Sequence, residues 1–189
     1  MKRVLILWAA ILMLAGAAEA VDYRPTKLER FLARYCPTSP LRGKGEEMVL
    51  QADRYGLDYR LYLAIAGAES TWGKNIPKKS CNLTGISNGA ARFRSIDHNI
   101  KFTYETIAGK RWYRQYRRTK KLEDLIRVYK AVPPFDKYER SMRFTLDLVT
   151  AVKITEPAPA LAAKKTNQLL AWNSIRYDKY DTRKIILVN

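Results

Sequence analysis

Histidine and cysteine are scarce in this sequence, which has one histidine, His98, and two cysteines. A zinc site needs several clustered His or Cys ligands, and His98 has none nearby in the sequence. A Ser-His-Asp triad can form only around this one residue, whose position suits a helix surface better. We therefore expect no metal ion and no cofactor.

Proline and glycine are also too few, at 8 and 9 of 189 residues, for a disordered or fibrous chain. The composition, 47% hydrophobic and 28% charged, is that of a globular protein, and the length suffices for one domain with a core. No internal repeat is present.

Long apolar runs are absent except at the start of the chain. Lys2 and Arg3 precede an apolar stretch at residues 4–16, and Ala18-Glu19-Ala20 fits a small-x-small cleavage site. The pattern predicts a signal peptide at residues 1–20; an uncleaved anchor is the alternative, for which the run is short. We expect a secreted or periplasmic protein that begins near Val21 and meets the membrane only through its signal peptide.

Acidic residues are half as numerous as basic ones, 18 against 35, which gives a net charge of +17. Such a protein is attracted to polyanions. Export favours anionic cell-wall polymers over nucleic acid as partners. The basic, aromatic run at residues 110–121 is interpreted either as a solvated helix end with its aromatic residues partly packed or as a wall-binding surface, with nucleic-acid binding disfavoured.

The two cysteines, Cys36 and Cys81, are an even number in a chain predicted to reach an oxidising compartment. This favours a disulfide between them. Two buried free thiols are the alternative.

The spacing of apolar residues predicts an all-α protein. Residues 72–95 are predicted to form a loop, residues 156–159 a linker, and the basic tail to residue 189 either a strand or an unstructured arm. The folded domain is expected over residues 21–155. Helices are predicted at residues 25–35, 46–55, 59–70, 96–116, 122–129 and 135–152.

The predicted helix at residues 59–70 is apolar on nearly all sides, which is typical of a helix in the middle of a domain. Asp58 is its expected N-cap, and Gly56 is expected to end the helix before it. Glu69 lies at its far end. A glycosidase acid must be protonated near neutral pH, and apolar surroundings, here including Trp72, favour the uncharged carboxyl. The alternative is an ordinary surface glutamate.

Four short segments follow one another in a characteristic order. They are Glu69-Ser70-x-Trp72-Gly73, Asn82-Leu-x-Gly85-Ile86, Phe93-x-Ser95 before Ile100, and Tyr129-Lys-Ala-x-Pro133-Pro134 with Tyr138 beyond. Over residues 48–152 this series resembles the lysozyme-like superfamily. It is most similar to bacterial lytic transglycosylases and the related glucosaminidase-type wall hydrolases.

The resemblance implies a lysozyme-like helical domain with a loop-rich cleft for peptidoglycan glycan strands. Glu69 would be the general acid and later the base, with Ser70 supporting it by a hydrogen bond. The remaining expected substrate-binding residues are Trp72, Asn82, Gly85, Ile86 and Tyr129, the last across the cleft from Glu69. Two residues depart from the commonest pattern: Lys130, where asparagine is usual, and Thr84.

A second catalytic carboxylate is not evident, because Asp97 and Asp136 are better explained as helix caps. The resemblance therefore implies a one-acid mechanism in which the substrate supplies the nucleophile, with a 1,6-anhydro sugar as the product. The expected function is that of a lytic transglycosylase. The alternatives are a hydrolase, either N-acetylglucosaminidase or muramidase, and a non-catalytic wall-binding protein.

Overall fold

The structure, a computed structural model, describes residues 21–77 and 80–154 and is all-α over these ranges. The described residues contain no β-strand, and none of their helices is long and apolar enough to span a membrane. The predicted signal peptide, linker and tail lie outside the described residues. The helices are α1 (Arg24–Tyr35), α2 (Gly45–Tyr55), α3 (Leu61–Ser70), α4 (Ile96–Gly109), α5 (Arg114–Thr119), α6 (Leu122–Tyr129) and α7 (Phe135–Ala151).

Helix α3 lies at the centre of the domain, as its composition predicts. Residues 61–66 are at most 2% exposed. Helix α7 packs along α3, and α2 packs between α1 and α4. An apolar helix surrounded in this way buries surface on every side. Each Å² of buried apolar surface stabilises the fold by about 25 cal/mol.

The start of α3 differs from the prediction. The helix begins at Leu61 with Arg60 at the N-cap position, and not at Tyr59 with Asp58 as the N-cap, because the Asp58 carboxylate closes a turn before it. That carboxylate accepts the backbone N–H of Arg60 at 2.9 Å and pairs with the Arg60 guanidinium. Gly56 does end α2, in a left-handed conformation (φ +62°), as predicted.

The helix predicted at residues 96–116 is interrupted. Helix α4 ends at Gly109, Lys110 is extended, and a 3₁₀ turn (Arg111–Tyr113) leads into α5. The Arg117 guanidinium donates to the carbonyl oxygens of Ile107 and Lys110, and so supplies hydrogen-bond donors where the helix ends.

The break also places the aromatic residues of the basic run in different environments. Tyr113 and Tyr116 turn into the core, whereas Trp112 is 53% exposed beside Lys110. The run is therefore partly packed and partly solvated, which agrees with its interpretation as a solvated helix end whose aromatic residues are partly packed.

Candidate functional site

A cleft of about 350 Å³ lies at the C-terminal end of α3. It brings together the end of that helix, the loop that follows it and the end of α6. Five of the predicted site residues line it: Glu69, Ser70, Asn82, Gly85 and Tyr129. The other lining residues are Asn75, Pro77, Asn88, Gly89 and Lys130.

The Glu69 carboxyl group is half-buried, with a hydrogen-bond donor on one side and a glycine close to it on the other. Its Oε1 accepts a hydrogen bond from the Tyr138 hydroxyl at 2.8 Å. Its Oε2 lies against the backbone of Gly85, where an added Cβ would be only 2.6 Å away. Gly85 has φ +67°, so both its conformation and its closeness to Glu69 require glycine.

Two tyrosines flank this carboxyl group as neutral phenols. Burial raises the pKa of Tyr138 far above its usual range, and the charge of Glu69 adds to the effect. Burial likewise raises the pKa of Tyr129 well above its usual range. The Tyr129 hydroxyl donates to the carbonyl oxygen of Thr84 at 2.6 Å, which ties α6 to the loop beside Gly85. Tyr129 thus lines the cleft as expected.

Ser70 does not support Glu69 by a hydrogen bond, contrary to expectation. Its Oγ lies 2.7 Å from the carbonyl oxygen of Leu83 and accepts the backbone N–H of Gly73 at 2.9 Å. The side chain is buried, and its hydroxyl contacts the backbone of the loop and of Ala66. Ser70 therefore fixes the loop against α3.

Asn82 shapes the same loop. Its amide donates to the carbonyl oxygens of Ile86 and Ala91 and accepts the backbone N–H of Ile86. Asn82 lines the cleft, whereas Ile86 is not among the lining residues and is held through its backbone. The expected contact of the Ile86 side chain with substrate is therefore not supported.

Trp72 lies outside the cleft, contrary to expectation. Its ring packs edge-on against Phe31 at 5.4 Å between centroids and covers Gly67, where a Cβ would lie 2.7 Å from the indole Nε1. The left-handed backbone at Thr71 and Trp72 ends α3 and directs the indole into the core. Trp72 thus stabilises the fold around the helix.

Asn99 is a supporting residue that the sequence analysis missed. This buried side chain of α4 accepts hydrogen bonds from the Tyr62 hydroxyl (2.8 Å) and the Leu83 N–H (3.1 Å), and it donates to Thr84 Oγ1 (3.0 Å). It joins α3, α4 and the cleft loop. The available signal was a polar pair, Asn99 and Thr103, one turn apart on the apolar face of a predicted helix.

Glu69 is the only carboxylate among the described residues that line the cleft. Asp97 and Asp136 lie in the first turns of α4 and α7, where they pair with Lys44 and Arg140. Neither is the N-cap itself: Ser95 caps α4 by accepting the backbone N–H of His98. Both carboxylates instead favour their helices through the helix dipole.

His98 and the cysteines lie apart from the cleft lining. His98 packs on Phe93, and burial lowers its pKa. Within residues 21–77 and 80–154 no group of three metal-ligating side chains occurs. The predicted disulfide is not formed in the structure: Cys36 is a buried thiol whose Sγ lies 3.9 Å from the Thr71 carbonyl oxygen, and Cys81 is a half-buried free thiol.

Comparison with known proteins adds no relative, because no protein-family model, curated protein or solved structure matches this chain.

Proposed function

We propose that this protein cleaves β-1,4 glycosidic bonds of bacterial peptidoglycan as a lytic transglycosylase with a lysozyme-like domain. The observation that carries the proposal is the placement of Glu69. It is the one carboxylate among the described cleft-lining residues, at the end of the buried central helix; Tyr138 donates to its Oε1, and Gly85 leaves room for its Oε2. The order of motifs along the sequence supports a wall glycan as the substrate.

The geometry suits a single acid that acts twice. Tyr138 donates to Oε1, so the proton of the acid form of Glu69 resides on Oε2. Transfer of this proton to the glycosidic oxygen breaks the bond from that oxygen to C1, and the leaving sugar departs as an alcohol. The Glu69 carboxylate then takes the proton of the substrate's own 6-hydroxyl, whose oxygen attacks C1. The product is a 1,6-anhydro sugar.

A retaining hydrolase with a protein nucleophile needs a second carboxylate about 5 Å from the first. None lines the described part of the cleft. Hydrolysis assisted by the substrate's N-acetyl group would instead release a reducing sugar. Mass spectrometry of digested wall glycan separates the two reactions, and products without the anhydro form would contradict transglycosylation.

The assignment of Glu69 as the acid is tested by zymography on purified peptidoglycan with wild type and Glu69→Gln. The matched control is Glu105→Gln, which removes the same charge from an exposed residue outside the cleft lining. We expect clearing by wild type and the control, and none by Glu69→Gln. Clearing by Glu69→Gln would overturn the assignment of the acid.

A wild type that sediments with purified walls but does not clear them would favour the non-catalytic wall-binding function. The net charge of +17 supports attraction to anionic wall polymers in either case. The proposed site of action is the cell wall, after export.

A further inference from the structure

We propose that Lys130 makes the cleft selective for a glycan with a free carboxylate on the sugar bound beside Glu69. In peptidoglycan this group is the lactyl carboxylate of a muramic acid that no longer carries its peptide. The inference rests on the proposed function and names its preferred substrate: peptide-free glycan strands.

Lys130 lies close to the proposed acid. It directly follows α6 and lines the same cleft as Glu69. Its Nζ is 5.9 Å from the centroid of the Tyr138 ring, and the hydroxyl of that ring holds Glu69 Oε1 at 2.8 Å. A single aromatic ring thus separates the ammonium group from the hydroxyl that positions the carboxyl group.

The Lys130 ammonium group is available to a ligand. The side chain is exposed, and no carboxylate of the described residues lies within ion-pair distance of it. Its distance from the Tyr138 ring is at the outer limit of a cation–π contact, about 6 Å. The ring therefore restricts the ammonium group but leaves its N–H donors for a charge-assisted hydrogen bond.

The charges of the cleft favour one anionic group on the substrate. Apart from Glu69 and Lys130, the described lining residues are uncharged. Once Glu69 holds the proton that it donates, Lys130 supplies the remaining charge of these described residues. A glycan of N-acetylglucosamine alone offers it no anion. A muramic acid offers its lactyl carboxylate, and an attached peptide converts that carboxylate into a neutral amide.

The test compares three soluble glycans of equal length: a neutral N-acetylglucosamine oligomer, a peptide-free muramic-acid-containing oligomer and its peptide-bearing form. The full chain is used as wild type, Lys130→Gln and Lys130→Arg. Lys137→Gln, which removes an exposed lysine outside the cleft lining, controls for net charge. The readout is the ratio of kcat/KM for the peptide-free oligomer to kcat/KM for each of the other two.

We expect Lys130→Gln to lower both ratios by about tenfold, in keeping with the loss of a hydrogen bond between charged groups. Lys130→Arg should retain most of the preference for the peptide-free oligomer, and Lys137→Gln should retain all of it. Added salt should reduce this preference in wild type. Equal losses on all three glycans would reveal a structural role for Lys130 and overturn the proposal, as would unchanged ratios.

A failure of the proposed function is distinguished from a failure of carboxylate recognition by measuring Kd for the three oligomers in the Glu69→Gln background. A preference for the peptide-free oligomer that Lys130→Gln abolishes would support carboxylate recognition even if wild type cleaves nothing. Equal affinity for all three oligomers, or binding to none of them, would overturn it.

Discussion

At Gly85 a single missing methyl group makes room for the candidate acid. A Cβ there would lie 2.6 Å from Glu69 Oε2 and 2.9 Å from Glu69 Cδ. We expect Gly85→Ala to displace the carboxyl group and reduce cleavage by about 100-fold, since catalysis is sensitive to shifts of about 1 Å. The measurement is the rate of release of soluble fragments from peptidoglycan.

Gly43→Ala is the matched control for this substitution. Gly43 has φ +79°, close to that of Gly85, but nothing lies within 4 Å of an added Cβ. Both variants should lose about 1–2 kcal/mol of unfolding free energy to left-handed strain. Only Gly85→Ala should lose activity beyond this effect. Equal activities of the two variants would argue that Glu69 does not act from its position in the structure.

Tyr138 is the second residue on which the candidate acid depends. We expect Tyr138→Phe to lower kcat at least about tenfold with little change in KM, because the ring stays packed while Glu69 Oε1 loses its donor. Steady-state kinetics on soluble glycan oligomers measure both constants. An unchanged kcat would show that the hydrogen bond does not help to position the acid.

At the scale of elements, the cleft loop is fixed by buried polar groups of the helices around it. Asn99 on α4 binds the hydroxyl of Tyr62 on α3 and the backbone of Leu83 in the loop. We expect Asn99→Ala to lower the free energy of unfolding by about 3 kcal/mol, since it leaves buried partners without hydrogen bonds. Urea unfolding measures the change.

Asn75→Ala is the comparison for the Asn99 substitution. Its amide makes one exposed hydrogen bond, to Thr71 Oγ1, so the expected loss is below about 0.5 kcal/mol. A similar loss for both variants would contradict the role of Asn99 in joining α3, α4 and the loop.

The elements themselves were predictable to different degrees. Spacing of apolar residues located α6 and α7 to within one residue, because an amphipathic helix repeats its pattern over several turns. The same spacing missed the break at Lys110. At that break the Arg117 guanidinium reaches back from the next helix to carbonyl oxygens at the end of α4, a contact that the spacing of apolar residues does not encode.

At the scale of the whole molecule, burial of tyrosines sets an upper pH limit on stability. Burial raises the pKa of Tyr113 and of Tyr116 to about 12 each, whereas a tyrosine in the unfolded chain has a pKa of about 10. Below about pH 10 neither state loses these protons. Between about pH 10 and pH 12 only the unfolded state does, so the stability is progressively lost as pH rises.

We therefore expect these tyrosines to leave the free energy of unfolding nearly constant from about pH 8 to pH 9.5. Above about pH 10 we expect the free energy of unfolding to decline steeply. Urea unfolding at each pH measures it, and absorbance titration follows phenolate formation. Tyr113→Phe should make the decline shallower. A stability that stays constant through about pH 11.5 would show that the buried phenols do not limit it.

The sequence by itself determined the helical class, the central position of α3 and the place of Glu69 at the end of that helix. These follow from local periodicity and from a carboxyl group at the end of an apolar helix, which are properties of neighbouring residues. The resemblance of its motifs also predicted that Gly85, Asn82 and Tyr129 line the cleft, where the structure places them.

Only the tertiary structure decided what these side chains contact. Ser70 binds the loop and Trp72 covers the core, whereas Tyr138 reaches Glu69 from a helix 69 residues further along the chain. Lys130 also enters the cleft only through packing. Hydrogen bonds between such distant residues depend on how the helices pack, and the periodicity of a single helix contains no information about its neighbours.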